Sequence, residues 1–362
     1  MNLEPTDEQV ALRDTVRKFL ADKASVATHV RPMLDDPKGT TDQVWAGLAS
    51  LGVMGLLVPK EHDGAGMTMV EAGIVAEELG AALYPGPWWS SAVAATRALV
   101  RTGADGGLLA RIGDGTAIAT VGALTGPRPA ADGAALHGEL TAVPDVASAT
   151  VLLVLADGPH GTALYSVDPD SPEVDVTQRV HVDPTQKLFD VVLAGAQARR
   201  LADAPADVVE AVGDDVVIAR SADAVGAASA VMQKAVDYAK VRRQFGRPIG
   251  SFQAVQHLCV DMYESVELAR SGVVHALWAA DAAQPAERHL AALRAKAFAG
   301  RLAAVGDTAI QVFGGIGFTW EHDAHLYLKR LLGWSALFGA PDQFLEQAGA
   351  QLVGDMNRKV VQ

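Results

Sequence analysis

A single cysteine, Cys259, stands among 362 residues, so no internal disulfide can form. Its place in the apolar run Leu258-Cys259-Val260 reads as a buried structural thiol rather than a nucleophile. No stretch reaches the roughly 18 uninterrupted apolar residues that a membrane-crossing helix needs. The N-terminus, Met1 to Gln9, is acidic and lacks the basic-then-apolar order of a secretory signal. Positive charge is scarce: 30 Lys and Arg against 43 Asp and Glu leave a formal charge of −13. That balance disfavours nucleic acid and anionic membrane as partners. The sequence contains no Gly-x-Ser-x-Gly elbow, no Walker loop and no Cys-x-x-Cys pair. A cytoplasmic, acidic enzyme or enzyme subunit is the expectation.

What is present is ample material for a core, since 49% of residues are hydrophobic and only 20% charged. Residues from about 6 to 110 carry helical periodicity, with Val10, Leu12, Val16 and Leu20, then Ala46, Leu48, Leu51 and Met54, stepping by three or four. Asp63-Gly64-Ala65-Gly66 is a turn, after which Val70, Ile74, Val75 and Leu79 predict an amphipathic helix ending at Gly80. Between about 115 and 200, short β-rich runs appear at Ala117 to Leu124, Ala149 to Leu155, Thr162 to Val167 and Lys187 to Leu193. Long helices are then predicted over Asp207 to Arg243, Phe252 to Asp281 and Ala286 to Val312, with two shorter ones beyond. The small side chains of the first, Ala222, Gly226, Ala227 and Ala230, suit close helix approach, and a bundle follows. Segregated strands make this α+β: an N-terminal helical domain over 1–114, a middle β-domain over 115–203 and a C-terminal helical bundle over 204–362.

Gly314-Gly315-Ile316-Gly317 resembles a phosphate loop but follows a helical segment, which argues against a dinucleotide fold. His322 and His325, three apart, lack a completing metal ligand and read as packed or solvated histidines. The stretch from Val241 to His257 is more informative. It joins two long helices through a Gly/Pro turn bearing Arg242, Arg243, Arg247 and Phe245, a set suited to a pyrophosphate and a stacked ring. On physical grounds alone those arginines suit better a solvated helix end complementing the helix dipole.

This stretch resembles the Arg-x-x-Phe-Gly-x-x-Ile-x-x-Phe-Gln-x-x-x-His signature of the acyl-CoA dehydrogenase family, and Gln311 to Phe318 resembles its second signature. Leu51 to Glu61, Gly64, Gly66 and Glu77 to Gly80 extend the resemblance over the N-terminal unit. The resemblance implies an acyl-CoA dehydrogenase-like fold, an oligomer with FAD at the interface, and removal of α and β hydrogens from an acyl-CoA to give a 2-enoyl-CoA. It implies further that Arg242, Phe245, Gln253, Gln311, Gly314 and Gly315 reach the ADP half of the FAD held by a neighbouring protomer.

The family's catalytic glutamate, which takes the α-proton, is supplied from one of two positions. Alignment without gaps puts Phe338 at one, and Val216 and Val217 at the other. An offset of one or two residues brings Asp214 or Asp215 near the second, while Glu321, Asp323, Asp342 and Glu346 read as surface or packing acids. The ring-cradling Thr-Glu-Pro-x-x-Gly-Ser-Asp and Trp-Ile-Thr/Ser stretches are replaced by Thr120 to Pro127 and Ala142 to Val146. These departures resemble the base-lacking subunits of actinobacterial heterotetrameric acyl-CoA dehydrogenases, associated with CoA thioesters of steroid side chains and other bulky acids. The implied partners are an acyl-CoA, a homologous subunit carrying the glutamate, and an electron acceptor such as electron-transfer flavoprotein. A self-sufficient homotetramer with a displaced base and a non-catalytic acyl-CoA-binding protein are the alternatives.

Overall fold

The computed structural model describes residues 4–104 and 106–360. Five helices come first: α1 (Asp7–Lys23), α2 (Asp42–Ser50), α3 (Met69–Ala81), α4 (Thr96–Thr102) and α5 (Gly106–Gly113). Their starts are set locally. Thr6 with Gln9 and Thr68 with Glu71 form capping boxes that satisfy free N–H groups at α1 and α3, and Thr41 caps α2. A wide-turn segment, Trp89–Ala95, leads directly into α4 and is wholly buried.

Seven strands follow: β1 (Ala119–Gly122), β2 (Ala130–Asp132), β3 (Ala135–Pro144), β4 (Val151–Gly158), β5 (Gly161–Val167), β6 (Val174–Arg179) and β7 (Leu188–Asp203). The ring β4-β2-β3-β7-β5 closes on itself through the β4–β5 pairing, with β1 beside β4 and β6 beside β7. The sequence runs find β1, β4, β5 and the start of β7 and miss β2, β3 and β6. The reason is exposure: β6 is almost entirely solvent-facing and β3 carries polar residues and Gly138, so neither shows a clean apolar alternation.

The remaining chain forms α6 (Ala206–Val241), the hairpin β8 (Arg243–Gln244) and β9 (Arg247–Pro248), α7 (Gln253–Ala282), α8 (Pro285–Ala299), α9 (Ala303–Phe313), α10 (Ala324–Ala336) and α11 (Pro341–Val360). The helix expected over Ala286 to Val312 is therefore two helices, with a tight turn at Gly300–Leu302 between them. Gly300 lies under Pro341, where an added Cβ would meet Pro341 Cγ at 2.5 Å. Helix α3 crosses α6 on glycine. A Cβ at Gly80 would sit 1.9 Å from the Asp223 carbonyl, and one at Gly226 would sit 1.9 Å from the Glu77 carbonyl. Among the described residues, no helix is long and apolar enough to cross a membrane.

Buried ions tie the three regions together. Lys187, immediately before β7, donates to the carbonyls of Met33 (2.8 Å), Leu34 (2.7 Å) and Pro184 (3.0 Å). Arg330 of α10 holds Asp223 of α6 at 2.9 and 2.5 Å and donates to Thr185 Oγ1 at 2.8 Å. Arg220 lies 3.3 Å from the same Asp223 and over the Trp89 ring. Each of these charges is buried; Lys187 and Arg330 are hydrogen-bonded as burial demands, while Arg220 Nε and Nη1 have no hydrogen-bond partner and rest on the nearby Asp223 charge and the Trp89 ring.

Candidate functional site

The two glycine-bearing signatures converge at one end of the bundle. Helix α6 ends when Arg242 turns to extended backbone, its N–H donating to the Tyr238 carbonyl at 2.8 Å. Phe245 and Gly246 then take φ of +51° and +78°, the pair of left-handed residues that closes a two-residue hairpin. Helix α9 ends at Gly314, whose φ of +67° and ψ of −147° belong to glycine alone. Tyr238 packs on Phe313 with ring centroids 5.2 Å apart, which brings the two helix ends together.

Arg242, Phe245, Gln253, Gln311, Gly314 and Gly315 are all exposed there. Phe245 is 91% exposed, its edge on Phe252 at 6.0 Å. Arg247 instead lies over the Phe252 ring at 4.1 Å, and Arg243 is bonded to the Gly246 carbonyl. Among the described residues, no acid pairs with Arg242. Open space lies over Gly314 and Gly315, with nothing within 4 Å of an added Cβ. A free guanidinium, an exposed ring and bare backbone are what a pyrophosphate joined to an aromatic base would require.

The second region is internal. Phe338 follows α10 with φ of +64° and packs edge-on against Trp334, ring centroids 6.4 Å apart. Beside it is a cavity of about 30 Å³, walled by Val121, Gly122, Ala123, Ala142, Val143 and Pro144 from the stretches that replace the family's ring-cradling motifs. On the other side of Phe338 is a cavity of about 160 Å³ that Val216 and Val217 also line. Both expected base positions are thus apolar side chains facing these spaces.

The neighbouring acids are otherwise occupied. Asp215 is fully buried and gripped by Arg101 at 2.6 and 2.9 Å and by Arg97 at 3.0 Å, a structural cluster between α4 and α6. Asp214 does line the larger cavity, where it accepts from His289 Nδ1 at 2.9 Å and lies 3.5 Å from Arg288. That bond raises the His289 pKa above its usual value. Asp323 pairs with Arg31 and Asp342 with Arg301, both at 2.7–2.8 Å, and Glu321 and Glu346 face solvent. His322 packs on Phe313 and His325 on Trp320. Cys259 is half-buried, and burial raises its thiol pKa. Sequence reasoning missed Glu210 and His289, which share the larger cavity with Asp214. Asp214 and His289 stand 75 positions apart in the chain, on two different helices, so no local motif announces the group.

Comparison with known proteins decides the family. Residues 6–106 match the acyl-CoA dehydrogenase N-terminal domain and residues 218–352 the acyl-CoA dehydrogenase C-terminal domain. IpdE2 of Mycobacterium tuberculosis, an acyl-CoA dehydrogenase, is 32% identical over 97% of this chain and 99% of its own length. The chain belongs to the acyl-CoA dehydrogenase family. FadE34 of the same organism is 34% identical over 98% of this chain, which spans about half (49%) of that longer protein. Among solved structures, the ChsE4–ChsE5 complex of M. tuberculosis superposes with a TM-score of 0.88 at 26% identity, covering 98% of this chain and 99% of that one. The Tcur3481–Tcur3483 steroid acyl-CoA dehydrogenase superposes with a TM-score of 0.88 at 27% identity, covering 97% and 99%.

The family's members are oxidoreductases acting on the CH–CH bond of acyl-CoA, and its fold binds FAD. The residues present divide over that cofactor. The exposed signature end has the groups that a diphosphate joined to an adenine would need: a guanidinium, an aromatic ring and open glycine backbone. The space beside Phe338 has a mostly apolar lining, with Thr125 and Thr141 as its polar side chains.

Proposed function

We propose that this chain is the subunit of a heteromeric acyl-CoA dehydrogenase that lacks its own catalytic glutamate and completes the FAD site of a homologous partner. One observation carries the reading. Six residues exposed at one end of the bundle stand at the positions that the resemblance gives to flavin contact, whereas the two positions that it gives to the base carry apolar side chains, Phe338 and Val216. Bound FAD supplies a hydride acceptor for the substrate's β-carbon. This chain's Arg242 would neutralise the pyrophosphate through paired hydrogen bonds. Phe245 would cover the adenine, Gln253 and Gln311 would supply amide hydrogen bonds, and Gly314 with Gly315 would let the diphosphate approach the backbone. The carboxylate that takes the α-proton, which must act in a site closed to water, would belong to the partner. The substrate class would be CoA thioesters of bulky acids such as steroid side chains, with electrons passing to an acceptor such as electron-transfer flavoprotein.

Asp214 supports a second reading, a self-sufficient enzyme with a displaced base, because it borders the cavity beside Phe338. Flavin absorbance per chain separates the two. Little flavin in the protein alone and about one FAD per pair after co-expression with a glutamate-bearing homologue is the expected result. One FAD per chain in the protein alone, with turnover, would select the second reading.

A further inference from the structure

A cleft of about 850 Å³ opens beside strand β6 and shares no residue with the signature end or with the two cavities at Phe338. One wall is the face of β6 that carries Val174, Val176 and Gln178; the other is made by Trp45 of α2 with Ile118 and Ala147. Ligand clefts commonly occupy such gaps between folding units, at about 300–1,000 Å³. The two valines are only half-buried, so the core leaves this face of β6 uncovered.

Strand β6 is also an edge. It pairs with β7 on one side, and among the described residues no strand lies on its other side. The register fixes which backbone groups are free. Ala194 N–H donates to the Glu173 carbonyl at 2.9 Å, so the alternation of an antiparallel ladder gives the bonds with β7 to Glu173, Asp175, Thr177 and Arg179. The N–H and C=O groups of Val176 and Gln178 point the other way. That of Val174 does so too, and its N–H donates to the Ser171 carbonyl at 3.0 Å. The residues whose side chains line the cleft are thus the ones whose backbone faces the open edge. Common guards against edge pairing are missing: β6 has no bulge against β7, no proline and no lysine, and its charges, Asp175 and Arg179, lie on the face away from the cleft.

A strand added to this edge places every second side chain on the face of Val174 and Val176, over the cleft, and the others on the face of Asp175. Local charge selects the second set. Asp168, Asp170, Glu173 and Asp175 fall in one stretch with no Lys or Arg among them, and Arg179 beyond it is already paired with Asp190 at 2.9 Å. On the opposite wall Lys38 and Asp42 offset each other.

We propose that β6 and its cleft form a docking site for an extended, basic segment of another protein. The segment joins the sheet as an added strand, sets apolar side chains at alternate positions into the cleft and turns Lys or Arg toward the acidic stretch. The site does not depend on whether the chain lends residues to a neighbour's flavin.

The test uses the full chain and a fluorescein-labelled heptapeptide of alternating lysine and valine, followed by fluorescence anisotropy at physiological salt. Saturable binding is expected. Three control peptides should bind at least tenfold weaker: one with glutamate in place of lysine, one of the same composition with its valines contiguous, and one N-methylated along its backbone. Gln178→Pro removes an edge-facing N–H without costing a bond to β7, so it should weaken the peptide at least tenfold and leave the melting temperature unchanged. If that variant does not fold, Val176→Lys puts a repelling charge on the cleft wall and should give the same loss. Absence of saturable binding, equal binding of any control peptide, or binding untouched by the folded variant overturns the proposal. So does self-association of the chain that Gln178→Pro abolishes, since the edge would then belong to a second copy.

Discussion

The signature end of the bundle and the cavity around Phe338 have opposite relations to the fold. At the signature end, side chains are exposed and contribute little to packing: Phe245 is 91% in solvent and Arg242 has no acidic partner among the described residues. Around Phe338, Val216 and Val217 the side chains belong to the core. Exposed residues of this kind are what the proposed contact with a partner's flavin requires of the surface. Apolar side chains at the positions expected for a carboxylate are what the proposed division of labour between two subunits requires of the interior.

The sharpest way to separate the two is to disturb the interior ions. Asp223→Ala leaves Arg330 and Arg220 buried without their shared carboxylate, which should cost about 3–5 kcal/mol and be read as a lower urea midpoint. A second interior change should act through pH. Asp145 is fully buried and accepts from Ser90 Oγ at 2.6 Å, and burial pushes its carboxyl up to about 7. The folded chain then holds a proton that the unfolded chain has released. Stability from this group is full below about pH 4 and is lost as pH rises through 7. Asp145→Asn keeps the acceptor for Ser90 and should remove that slope. It should stabilise the protein at pH 8 relative to wild type by up to about 4 kcal/mol, with little effect at pH 4. Urea melts at the two pH values check it, and a steeper slope in the variant would refute it.

The surface should answer differently. Arg242→Ala is expected to leave the melting temperature of the chain unchanged and to weaken flavin retention in the mixed complex by about 1.5–3 kcal/mol. Flavin released per complex on dilution measures this, and full retention would count against the proposed role. The smallest effect belongs to Phe338→Glu. Restoring a carboxylate at that position should give no detectable turnover, because a base also needs a preorganised site and a bound ring. Robust enoyl-CoA formation by this single variant would show that the interior is not closed.

Much of the signature end was legible in the sequence because its residues lie in two contiguous motifs, and the hairpin and Gly314 bend are local structures that glycine specifies. The long helices α6 and α7 were legible from their length and apolar steps. Strands β2, β3 and β6 were not, because they pair within the sheet while showing solvent a polar face. The break at Gly300 was hidden because its cause, Pro341, lies 41 residues away and acts through space. The Asp214–His289 pair and the Asp223–Arg330 lock were hidden for the same reason: each joins two helices whose separation in sequence is set by topology, and no spacing rule encodes that.

Lys187 has one more consequence. Its ammonium is held by carbonyls from residues 33 and 34 and from residue 184, so neither the first helices nor the strand region can open without stranding a buried cation or its acceptors. In the language of hydrogen exchange, the backbone around Met33 and that around Lys187 form one opening unit. Their amides should share a single free energy of exposure although they stand 154 positions apart in the chain.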